Sequence, residues 1–153
     1  MLTLIDEHSR ECLAIDVARR VGDLKFAGNN LSNLGWLEHL GGQAAAARAH
    51  FDAALSIARE IGHRQLECIV LCNLGVHLDG QGRTTEALAR LEQAIAVARE
   101  LRDRRSEGQF LGYLGLVHAR EQRFDQARQC AVDGERLLQD LGDPISLSLL
   151  WCA

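Results

Sequence analysis

Apolar residues recur at three- and four-residue intervals along most of this chain, the spacing of helices that bury one face. Between Arg64 and Gly80 they fall at Cys68, Leu71, Leu74, Gly75 and Leu78, and Gly80-Gln81-Gly82 then breaks the pattern. A second helix is predicted over Glu86 to Leu101, carrying Ala87, Leu88, Leu91, Ala94, Ile95 and Ala98, with Thr84 or Thr85 as its cap. Asp103 is placed to cap the helix after it. Asp143-Pro144 reads as a cap followed by a proline at the first helical position, where a missing N–H costs nothing.

The pattern repeats. Asn33-Leu34-Gly35 returns as Asn73-Leu74-Gly75 and again as Tyr113-Leu114-Gly115, each 40 residues after the last. The register holds across the unit: Leu31, Leu71 and Leu111 align, as do Ala47, Ala87 and Ala127, then Phe51, Leu91 and Ala131, then Ala54, Ala94 and Gly134. Ile57 to Gly62 is matched by Val97 to Arg102 and by Leu137 to Gly142, and Val17 to Asp23 stands 40 residues before Ile57 to His63. The chain therefore divides into an N-terminal segment with a half-repeat (1–22), three full repeats (23–62, 63–102 and 103–142) and a truncated helix of a fourth (143–153), all in one domain. Neither helix of a unit can bury its stripe alone, so stacked neighbours must supply the core. The expected fold is all-α, an α-solenoid of antiparallel helix pairs with about eight helices. A glycine inside a helix costs roughly 0.5–1 kcal/mol relative to alanine. Its return at Gly35, Gly75 and Gly115 predicts a close crossing of the paired helix there.

Composition narrows the class. One proline occurs in 153 residues, against about eight at average usage, and alanine and leucine dominate the apolar share. A sandwich or barrel needs β-branched and aromatic residues and frequent turn prolines, so all-β folds are nearly excluded. With 17 basic and 21 acidic side chains the net charge is −4, and no broad basic face for nucleic acid is expected. The N-terminus lacks the basic region of a signal peptide, and no apolar run approaches the roughly 18 residues of a membrane helix. No membrane association and a cytoplasmic location are therefore expected. Cys12, Cys68, Cys72, Cys130 and Cys152 form an odd, scattered set and read as small buried thiols.

At these columns the chain resembles the tetratricopeptide repeat, whose pattern of a large apolar residue, Leu-Gly, Ala, a large apolar residue and Ala falls on Leu31, Leu34, Gly35, Ala47, Phe51 and Ala54. The second copy uses Leu71, Leu74, Gly75, Ala87, Leu91 and Ala94. The third departs at Ala131 and Gly134, which predicts a looser second helix. The usual period is about 34 residues; the longer one here is similar to the subclass found in spindle-orientation scaffolds and in bacterial signalling ATPases and transcriptional regulators. The resemblance covers residues 11–153 and implies a non-enzymatic scaffold that binds a protein or peptide. A sensory fragment of a larger bacterial regulator is the alternative. Leu2 to Ile15 is also similar to a strand segment of insertion-sequence integrase-core transposases; without the rest of that α/β fold it reads as a junction, with a transposase-derived fragment as the remote alternative and residues 1–9 poorly packed.

No catalytic constellation is apparent. His8, His39, His50, His63, His77 and His118 lack metal-site spacing and read as solvated or cap-proximal. No serine sits in a nucleophile elbow, and no glycine cluster matches a phosphate loop. Neither a metal nor a cofactor is expected. Arg102-Asp-Arg-Arg105 reads as a solvated turn or, alternatively, a grip for an acidic peptide.

In the family it resembles, the first helix of each unit lines the concave side of a superhelix. Here that face is expected to hold Asn29, Asn33 and Trp36; Ile69, Asn73 and Val76; and Gln109, Tyr113, Leu116 and Arg120. Carboxamides there can pair with a peptide backbone, and Trp36 and Tyr113 offer apolar bodies with a polar edge. Trp36 either anchors a partner or packs on a neighbouring helix; Asn33 and Asn73 either face the partner or bond to loops. Chaperone-binding members grip a carboxylate with Lys, Asn and Arg. Only Asn73 matches, while Ser32, Gln109 and Tyr113 occupy the basic columns, so that activity is not expected. At the other end Leu147, Leu149, Leu150 and Trp151 lack a following helix, which predicts self-association there or fraying.

Overall fold

The computed structural model describes residues 2–142, with side chains from Arg19 onward. The residues of the fourth unit, with Leu147 to Trp151, lie outside that range. Among the described residues there is no strand. Six helices follow one another: α1 (Leu2–Leu40), α2 (Ala44–Glu60), α3 (Arg64–Gly80), α4 (Thr84–Glu100), α5 (Arg104–Arg120) and α6 (Phe124–Asp140). Three-residue turns reverse the chain at each junction, so α1/α2, α3/α4 and α5/α6 form antiparallel pairs. The pairs stack through α2 against α3 and α4 against α5, and the first helices touch through α1–α3 and α3–α5.

The buried column residues follow the repeat. Ala47, Phe51 and Ala54 of α2 are sealed like Ala87, Leu91 and Ala94 of α4, around Leu71, Leu74 and Leu78 of α3. The glycine column sits at the predicted crossing. A Cβ at Gly75 would stand 2.8 Å from Leu91 Cγ, and one at Gly35 would stand 3.0 Å from the Phe51 ring. A second small-residue column, Gly28, Cys68 and Gly108, was not evident from the sequence. A Cβ at Gly28 or Gly108 would meet Leu66 at 2.7 Å or Leu138 at 2.8 Å, and Cys68 fits there by donating its thiol to the Ala94 carbonyl at 3.3 Å. In the third unit α6 buries only Gly134 and Leu138, although the crossing with α5 at Gly108 is as close as that at Gly75.

The caps differ in part from expectation. Asp103 does cap α5, accepting from the Ser106 backbone N–H at 3.1 Å. His63 does the same for α3 through Nδ1, at 3.0 Å from the Leu66 nitrogen. Neither threonine caps α4: Arg83 holds the cap position without a side-chain bond, and the Thr84 hydroxyl donates across the stack to Glu121.

The count of eight helices is corrected to six among the described residues. Part of the shortfall is the fourth unit, which lies beyond them. The rest is a missing turn: the half-repeat does not fold back at Gly22-Asp23, and α1 runs unbroken for 39 residues. At the other unit boundaries Gly62, Arg102 and Gly142 take positive φ of 65°, 56° and 61°. Ion pairs brace two of these turns. Arg59 donates to Glu67 at 2.9 Å and Arg99 to Glu107 at 2.7 Å, while Arg64 reaches Glu100 and Arg104 reaches Asp140. One unit earlier, Ala27 replaces the glutamate and Leu24 the arginine, so Arg19 has no acid in the bracing column. Without the brace, continued helix satisfies every backbone N–H and C=O around Gly22 by itself.

The straight α1 leaves a face bare. Leu34 is 41% exposed, whereas Leu74 in the same column is 0% exposed beneath α2.

Candidate functional site

An open cleft of about 500 Å³ runs across the first helices of all three units. Asn33, Trp36 and Leu37 of α1, Asn73 and Val76 of α3, and Tyr113 of α5 line it. Helical period explains the grouping. Positions 33, 73 and 113 share one column and 36 and 76 share the next turn, so stacking equal units aligns them across the sheet of helices.

The indole of Trp36 is half-buried. One side packs on the core and its ring centroid lies 5.2 Å from that of His39, while the rest faces the cleft. It packs on its neighbours and still presents surface to the cleft. Asn73 bonds to no loop. Its Nδ2 donates across to Ser32 Oγ on α1 at 3.2 Å, which fixes the amide and leaves its oxygen and second N–H for another partner. Asn33 is exposed. Burial raises the Tyr113 phenol, with Cys72 a lesser cause, so its hydroxyl stays a donor at neutral pH.

The other residues of the expected face stand outside the cleft. Asn29 donates from Nδ2 to the Lys25 carbonyl within α1. Arg120 is tied to Asp79 of α3, a bond that braces the stack. Ile69 is exposed, and Gln109 and Leu116 are half-buried. Leu37 was missed because its column, whose later members His77 and Val117 are buried, was not counted in the expected face. It opens to the cleft only because nothing folds back over α1.

Some of the histidines read as solvated or cap-proximal are instead engaged within the fold. His77 is buried, with Nδ1 3.2 Å from Nδ1 of His39 and its ring 5.8 Å from Phe51. Burial, then the nearby His39, lowers its pKa and keeps it neutral. His50 pairs with Glu38 at 2.6 Å. In the arginine-rich turn Arg102 holds the left-handed turn position, Asp103 caps α5 and Arg104 pairs with Asp140.

Burial pushes the Cys68 thiol up to about 12 and raises Cys72 as well, so neither is a ready thiolate. Among the described residues no cluster of three or more His, Cys, Asp or Glu side chains could hold a metal ion. No described helix is long and apolar enough to cross a membrane.

Residues 27–100 match the family model of the tetratricopeptide repeat, over the first two helix pairs and the cleft's α1 and α3 walls. Residues 27–100 are tetratricopeptide repeats. Tetratricopeptide repeats generally mediate protein–protein interaction, and the helical fold is typically non-enzymatic. No curated protein matches this chain.

Proposed function

We propose that this protein is a non-enzymatic interaction module that binds a peptide, or an exposed segment of a protein partner, in the cleft between α1, α3 and α5. The carrying observation is the convergence there of Trp36, Leu37 and Val76 with Asn33, Asn73 and Tyr113, drawn from three separate repeats. Apolar surface beside oriented amides suits a segment that buries one or two large side chains and leaves backbone groups to be paired. Trp36 is the anchor, because a half-buried indole contributes area at little conformational cost. With its basic columns filled by Ser32, Gln109 and Tyr113, the cleft favours an apolar-containing segment over a terminal carboxylate.

Selection of random peptides displayed on phage against the immobilised protein tests this reading. Peptides carrying at least one aromatic or branched aliphatic residue are expected, and Trp36→Ala should weaken them about tenfold or more, Asn73→Ala less. Selected peptides that bind the wild type, Trp36→Ala and Asn73→Ala equally well would place the site elsewhere.

A further inference from the structure

The bare face of α1 is a defined surface. Phe26, Leu34 and Leu37 are 69%, 41% and 65% exposed, yet the same columns in α3, Leu66, Leu74 and His77, are buried where the preceding helix α2 covers them. The chain contains a sequence suited to that cover. Residues 12–21 read Cys-Leu-Ala-Ile-Asp-Val-Ala-Arg-Arg-Val, in register with 52–61 of α2 and 92–101 of α4. Ala14, Ile15 and Ala18 stand where Ala54, Leu55 and Ala58, and then Ala94, Ile95 and Ala98, are buried in the later units. This segment is carried away from the face it matches, because α1 continues straight through Gly22.

We infer that a second copy of this chain covers the face, its own residues 12–21 lying antiparallel on residues 24–40 of the first while the first returns the same contact. A hairpin within one chain would need the turn at Gly22-Asp23; the reciprocal exchange keeps α1 straight. The contact reproduces, between copies, the seam that α2 makes with α3 and α4 with α5. Exchange of an identical element between protomers is a low-cost route to a two-fold dimer. The crossing falls near residues 20–23, where exposed Arg19, Arg20 and Asp23 let opposite charges of the two copies meet. The surface is distinct from the partner cleft, sharing only Leu37 at its rim.

Sedimentation equilibrium of the full chain tests the exchange. A mass twice the 16.9 kDa of one chain is expected at micromolar to submillimolar concentration. Phe26→Glu with Leu34→Glu alters the face, and Ile15→Glu alters the segment that covers it; each should give a monomer with helical circular dichroism retained. Mixed together, the face variant and the segment variant should recover heterodimer, since one undamaged seam remains between them. A monomeric wild type, the result expected of a hairpin within one chain, would overturn the inference. So would an Ile15→Glu variant that stays fully dimeric, the result expected if two bare faces simply meet. Recovery absent from the mixture would also overturn it. Should a glutamate variant lose its helicity, Leu34→Ser and Ile15→Ser provide the same comparison with a smaller perturbation.

Discussion

Leu34 and Leu74 occupy the same column of consecutive repeats, on helices with the same Asn-Leu-Gly sequence, and meet opposite fates. Leu74 is sealed because α2 lies across α3, whereas Leu34 stands in the open because the segment in register with α2 continues straight ahead. Identical local sequence thus gives a core residue in one unit and a surface residue in the next. In a solenoid, burial belongs to the seam between units and not to the residue.

The difference can be broken by substitution. Leu74→Ala should cost about 2–5 kcal/mol, the range for a fully buried leucine. Leu34→Ala in dilute monomer should cost about 1 kcal/mol or less, as its side chain is already partly hydrated. Urea denaturation of both variants at low chain concentration measures the pair; equal losses would mean that α1 is covered within a single chain.

A second contrast lies in the glycine column. Gly75→Ala forces a methyl group to 2.8 Å from Leu91 Cγ and 3.3 Å from the Ala87 carbonyl, whereas at Gly115 the nearest atoms are 3.3 Å away. Overpacking of the first kind costs about 1–3 kcal/mol. Gly115→Ala should be close to neutral, because better helix propensity offsets the milder contact. Thermal unfolding midpoints of the two variants would sharpen the comparison between the two glycine positions.

Much of this was legible in the sequence, because repetition amplifies weak signals. One Leu-Gly pair says little, but three at a fixed period give the helix pairs, the crossing glycines and five of the six cleft residues. What escaped was non-periodic. The missing turn at Gly22 follows from Ala27 and Leu24 standing where later units carry their bracing charges, and that is visible only once Arg59–Glu67 and Arg64–Glu100 are seen paired. Leu37 was hidden by the same event: His77 and Val117 of its column are covered, and α1 alone lacks the preceding helix that would cover it. His77 escaped because a polar residue facing His39 and Phe51 looks, in sequence, like any surface histidine.

The buried histidines give the smallest effect. Burial lowers the pKa of His77, and also of His118, whose Nδ1 is buried without a partner. The unfolded chain therefore binds protons first as pH falls, so stability is full above the ordinary histidine range near about 6.5 and declines below it. Glu67 and Asp103 extend the decline at lower pH. Burial pushes each up, but Arg59 and Arg64 for Glu67, and Gln65 and Ser106 for Asp103, hold them below the usual carboxylate range. His77→Leu, which installs the residue of the same column in α1, should flatten the dependence between about pH 7 and pH 5. A variant that tracks the wild type across that interval would assign the decline to other groups.

Amide hydrogen exchange read along the chain tests most directly whether neighbours supply each unit's stability. The expected result is slowest exchange in α3 and α4, which are covered from both sides, and markedly faster exchange in α6, where only Gly134 and Leu138 are buried. Exchange in α6 as slow as in α3 would contradict it, since a helix with so little covered surface would then hold its hydrogen bonds without help from a neighbour.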